Sequence, residues 1–136
     1  MDIPDYGACV TRIAEWIAAE ADLLPGKTIF LEPGLPEGPD GCAAIFETGG
    51  DWNFARGLQT WALVLVVRAA RLADARALAL ACLKGAVKGF ETATAEQRGI
   101  ILDVKLEKLP SLEGRDERGR VILQAALTMT IHAPME

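Results

Sequence analysis

Apolar side chains recur at three- and four-residue intervals over residues 5–24, where Tyr6, Val10, Ile13, Ile17, Ala21 and Leu24 form one stripe and Arg12, Glu15 and Glu20 fall away from it. This spacing predicts an amphipathic helix, stopped by Pro25-Gly26 because proline disfavours helical geometry before it and glycine accepts a left-handed turn. Residues 28–32 (TIFLE) then read as a short strand. Residues 33–41 hold three prolines and three glycines, which makes them an irregular loop suited to binding. Residues 42–48 (CAAIFET) read as a second strand and Gly49-Gly50-Asp51 as a turn.

Residues 59–68 (QTWALVLVVR) carry the strongest strand pattern, with Trp61, Leu63, Leu65 and Val67 on one face and Ala62, Val64 and Val66 on the other. Two apolar faces predict a central strand covered on both sides, by helices or by a subunit interface. A second helix is predicted over residues 71–90. Ala75, Leu78, Ala79, Cys82 and Ala86 lie in one arc, which Leu80, Leu83 and Val87 widen beyond the stripe of an ordinary surface helix; Asp74, Lys84 and Lys88 hold its polar edge. Such a helix is either wedged between the sheet and the first helix or packed also on a neighbouring subunit.

Residues 95–99 read as a loop. Residues 100–108 alternate, with Ile100, Leu102, Val104 and Leu106 inward and Asp103, Lys105 and Glu107 outward; residues 121–132 alternate likewise. Residues 109–120 form a charged loop joining these hairpin partners. The order α-β-β-β-α-β-β predicts one α+β domain, a two-layer sandwich of a largely antiparallel sheet with two helices.

Composition narrows the function more than the fold. With 136 residues, 51% of them hydrophobic, the chain supports a compact core. Lys plus Arg number 14 against 19 Asp plus Glu, a net charge of −5, which argues against a broad nucleic-acid-gripping face. An acidic surface also suits a passage through which DNA slides without adhering. Cys9, Cys42 and Cys82 are widely separated, as buried thiols of a reducing compartment would be, and with His132 they offer no metal-ligand spacing. Met1-Asp2-Ile3-Pro4-Asp5 shows no signal-peptide pattern, and the apolar run over residues 61–67 is too short to span a bilayer, so a soluble intracellular protein with no membrane partner is expected.

No catalytic constellation stands out. His132 reads as a solvated strand residue before a general base. Glu32 and Glu47 read as exposed carboxylates before an acid–base dyad, the cysteines as core residues before nucleophiles, and Gly49-Gly50 as a tight turn before a phosphate loop. Arg115, Arg118 and Arg120 interleave with Glu113, Asp116 and Glu117, which makes that loop zwitterionic. No catalytic residue, metal or cofactor is assigned.

Leu35-Pro36 with Pro39-Asp40, the stretch AIFETGG ending at Gly50, Leu65-Val66-Val67-Arg68, the helix opening Ala73-Asp74-Ala75-Arg76, Leu109-Pro110-Ser111-Leu112 and Asp116-Glu117-Arg118-Gly119-Arg120 follow one another along the chain. In these the chain resembles the phage minor capsid and tail-completion proteins, and among them the siphophage tail terminators. The resemblance runs from about residue 29 to the end. It implies a structural, non-enzymatic virion protein of the tail or neck, assembled in the host cytoplasm. Such subunits form a homohexameric ring that caps the tail tube, stops its polymerisation and joins it to the head-closure complex, while DNA passes transiently through the lumen.

On this reading Leu80, Leu83 and Val87 are candidate subunit-interface residues. Trp52 and Phe54 join them, in an aromatic segment that departs from the family pattern. Pro36, Glu37, Pro39 and Asp40 in one loop, and Glu113, Arg115, Asp116, Glu117, Arg118 and Arg120 in the other, would face tube, neck or lumen. A head-closure or neck protein is the near alternative. A small ligand-binding or enzymatic α+β domain is the distant one and would need a pocket with convergent polar groups.

Overall fold

A computed structural model describes residues 5–134. Residues 1–4, where the absence of a signal pattern was read, lie outside the described residues. Helix α1 (Tyr6–Ala21) starts where the Asp5 carboxylate accepts the Ala8 N–H at 3.0 Å. It ends earlier than the periodicity predicts, because Asp22 turns left-handed at φ 56° and returns its N–H to the Ala18 carbonyl. Strand β1 is only Ile29–Phe30, β2 is Cys42–Asn53 and β3 is Leu58–Ala69. Helix α2 (Leu72–Thr92) precedes a single helical turn, α3 (Ala95–Arg98), and the long strands β4 (Ile101–Arg115) and β5 (Val121–His132) close the chain.

The sheet runs β1-β2-β3-β5-β4, with β1 parallel to β2 and the remaining pairs antiparallel. The α+β two-layer class expected from the element order is the architecture observed, with three helices instead of two. Strand β3 is central, as its two apolar faces require. Helix α1 lies over β1 and β2, and α2 over β3, β5 and β4. Leu63, Leu65 and Val67 are buried beneath the helices, together with every second residue of β5 from Val121 to Ile131.

No second layer of helices covers the opposite face among the described residues. There Phe46, Val64, Val66 and Ala126 stay half-buried, so helices supply the cover of β3 on one side only. Cover of that face is confined to the end around Cys42 and Arg68, where the proline-rich loop folds across it.

Four local expectations change. Gly49-Gly50-Asp51 is not a turn: β2 continues to Asn53, and the hairpin turns at residues 54–57 instead. Register shifts between Glu47 and Gly49, and Gly49 takes φ 147°, a conformation that favours glycine. In β4 a register shift between Ile101 and Asp103 puts Ile101 and Val104 inward and turns Leu102 outward. The charged loop of residues 109–120 is mostly strand, since β4 runs to Arg115 and residues 116–120 alone make the connection. Finally, residues 95–98 are helical: Thr94 and Gln97 exchange hydrogen bonds in a capping box, a T-x-x-Q signal legible in the sequence but read as loop.

The breadth of the apolar arc on α2 has a structural cause. The helix meets the sheet on one side and α1 on the other, and Gly85 and Gly89 allow the close approach. A Cβ on Gly85 would stand 3.0 Å from Ile17 Cα, and one on Gly89 2.4 Å from Trp16 Cβ. Lys84 and Lys88 of α2 both reach Glu20 of α1, and the Lys84 hydrogen bond, followed by the Lys88 charge, lowers the Glu20 pKa.

Candidate functional site

Among the described residues, no group of three or more His, Cys, Asp and Glu is placed to hold a metal ion. His132 is exposed at the end of β5. The three cysteines are buried and unbridged. Burial raises the thiol pKa of Cys9 and Cys42 and pushes that of Cys82 up to about 12, so the nucleophilic thiolate is suppressed at all three. Iodoacetamide at neutral pH is therefore expected to leave the native chain unlabelled and to label three cysteines once denaturant is added, as mass spectrometry would count them. Prompt native labelling would contradict this burial.

What the structure does assemble is surface. Where α2 meets the edge strand β4, Leu72, Arg76 and Leu80 from the helix and Leu109, Pro110, Leu112 and Leu123 from the sheet line an open apolar depression of about 370 Å³. Leu80, Leu109 and Leu112 are 55%, 66% and 63% exposed. Burying leucines contributes roughly 1.5–3 kcal/mol each, so three exposed side by side leave an apolar patch whose cover would be favourable. Leu80 was expected at an interface and is available to one. Leu83 was expected there too, but it is 4% exposed and belongs to the core between α2 and the sheet; Val87 is half-buried.

Sequence reasoning missed Leu109, Leu112 and Arg76. The signal was two leucines three residues apart inside a charged stretch, which the reading of those residues as a solvated loop hid.

Trp52 and Phe54 divide in the same way. The Trp52 indole is half-buried and donates to the Ala133 carbonyl at 2.8 Å, which ties β2 to the segment after β5. Phe54 leans on it with ring centroids 4.9 Å apart and stays exposed on the hairpin turn. A second depression, about 550 Å³ and mostly apolar, lies at the opposite edge of the sheet, between α1 (Thr11, Ala14, Glu15) and the β1 region, where Ile29, Leu31, Glu32, Leu35 and Pro36 line it.

The two loops expected to face partners meet each other. Arg68 of β3 donates to the Pro39 carbonyl at 2.6 Å, and Arg120 approaches the Gly38 and Pro39 carbonyls and the Asp40 carboxylate at 3.3–3.4 Å. Between the two arginines, both nearly buried, sits Asp116. It accepts from Arg120 Nε at 2.8 Å and from the Arg118 and Arg120 N–H groups at 3.0 and 2.9 Å, with Arg68 Nε 3.9 Å away. Arg68 Nε has no hydrogen-bond partner among the described residues. Asp116, Arg120 and Pro39 are thus a clamp within the fold, not free docking groups. Glu37, Glu113, Arg115, Glu117 and Arg118 remain exposed.

Desolvation works to raise the Asp116 pKa, but the hydrogen bonds from Arg120 and Arg118 and the Arg120 charge outweigh it, and the net shift is downward. A depressed carboxylate stabilises the fold fully above the ordinary aspartate value of about 3.9 and loses that contribution as pH falls below it. Thermal unfolding across an acid series is expected to show this loss, and Asp116→Asn to flatten that part of the profile. An unchanged acid limb in the variant would mean that the clamp does not couple to stability.

Comparison with protein-family models and with curated proteins found no match to this chain.

Proposed function

We propose that this chain is a non-enzymatic structural subunit of a tailed-phage particle, a ring-forming tail-terminator (tail-completion) protein that caps the tail tube and joins it to the head-closure complex. The observation that carries the reading is the exposed leucine surface where α2 meets β4, which suits a subunit whose working state is an assembly. The two-layer α+β architecture is the class that the order of elements predicts. A net charge of −5 suits a lumen that DNA traverses without adhesion. The exposed charges of the connection after β4, with Glu37, are then the groups offered to tube or neck.

Light scattering coupled to size exclusion over a concentration series tests the reading. Six copies of the 14.6 kDa chain give about 88 kDa. A closed species of that mass supports the ring, and a pull-down with tail-tube and head-closure proteins then separates a terminator from a neck protein. A monomer at every concentration that also ignores both proteins overturns it. The groove between α1 and β1 favours a second reading, a small ligand-binding domain, which such a monomer would bring forward.

A further inference from the structure

The two edges of the sandwich differ in kind. Each depression lies where the helix layer meets an edge strand, α1 with β1 on one side and α2 with β4 on the other. The β4 side projects leucines, with Leu109 and Leu112 nearly two-thirds exposed, while the β1 side is the larger hollow, about 550 Å³ against 370 Å³. Their charges are opposite. Among the described residues, the charged ones lining the β1-side groove are Glu15 and Glu32, and the one lining the β4 side is Arg76. None of the three takes part in an ion pair among the described residues.

We infer that the groove between α1 and β1 is the receptor for the Leu109–Leu112 edge of a second copy of this chain, with Arg76 of one copy facing Glu15 and Glu32 of the next. Because the two surfaces lie on opposite edges of the sheet, the contact is heterologous: each copy donates one surface and receives on the other, the arrangement that closes into rings or runs on as filaments. Side chains, not a continued β-ladder, make the contact. Register shifts interrupt β4 on both sides of Lys108, and Lys105, Lys108 and Pro110 guard its outer edge against strand pairing, while β1 is only two residues long. The inference deepens the ring-subunit reading and rests on it for the choice of a second copy as occupant.

Cross-linking between single-cysteine additions tests the contact directly, since the native cysteines are buried. Leu109→Cys and Leu31→Cys are expected to give a disulfide-linked dimer when mixed at millimolar concentration under mild oxidation, and neither is expected to do so alone. Arg76→Glu added to the Leu109→Cys chain should lower the yield severalfold, and Glu15→Lys with Glu32→Lys in the Leu31→Cys chain should restore it. A dimer of Leu109→Cys alone would mean a face-to-face contact and overturn the inference, as would the absence of the mixed dimer.

Scattering of the wild-type chain separates the two claims. A closed ring without the mixed cross-link leaves the ring reading standing and removes this contact. The mixed cross-link without a closed ring keeps the contact and removes the ring.

Discussion

Leu83→Asp is expected to destabilise the chain severely, and Leu80→Asp, three residues away on the same helix, to leave its stability intact while weakening self-association. Leu83 is 4% exposed and belongs to the hydrophobic core, whereas Leu80, one turn away on the same side of α2, is 55% exposed. A carboxylate at position 83 would be buried without a partner, with loss of the leucine's contacts besides. Together these effects cost upwards of about 4 kcal/mol, against a total stability of roughly 5–15 kcal/mol for a domain. The exposed substitution should change stability by less than about 0.5 kcal/mol. Urea unfolding of both variants, followed by circular dichroism, checks the first half, and scattering of the Leu80 variant checks the second. A folded Leu83→Asp with native stability would show that α2 is not held as described.

Gly50→Ala carries the next largest expected effect. A Cβ at position 50 would lie 2.2 Å from the Thr60 carbonyl oxygen and 3.1 Å from Trp61 Cα, both backbone atoms of the paired strand, so the β2–β3 ladder itself would have to move. Overpacking of this kind costs about 3 kcal/mol. Gly49→Ala should cost less, about 1–2 kcal/mol, since nothing lies within 4 Å of its Cβ position and only the φ of 147° resists a side chain. The order of the two variants in a thermal melt is the test, and equal melting temperatures would contradict the close approach at Gly50.

The misreading of this glycine pair shows where pattern reading stops. Two glycines and an aspartate after an apolar run are the ordinary signature of a turn. Here the same residues serve a bulge and a tight cross-strand contact, and only the facing strand, residues 58–69, makes that need visible. The same holds in β4, where strict alternation predicts Leu102 inward. One extra residue in the register turns it out and leaves Val104 buried. Alternation is a property of a single strand, while a bulge is a property of a pair.

The candidate surface was legible only in part. Leu80 followed from the breadth of the α2 arc, but helical periodicity cannot say which flank of a broad arc the first helix takes. Gly85 and Gly89 assign one flank to α1, Leu83 goes to the core, and Leu80 is what remains. Leu109 and Leu112 were hidden by the charges around them. The arginine–aspartate clamp joins residues 39, 68, 116 and 120, and local sequence carries no signal for such a contact.

The amino-acid sequence by itself determined the periods, and with them the two long helices, the central place of β3, the inward face of β5 and the α+β layering, because each rests on interactions within a few residues or on one buried face. Tertiary structure alone decided which apolar residues were left over, how far β2 and β4 extend, and that two loops read as free are clamped to each other. Those outcomes depend on which strand edges and helix flanks come to lie side by side. Such neighbours are far apart in the chain, and side-chain pattern does not encode them one element at a time.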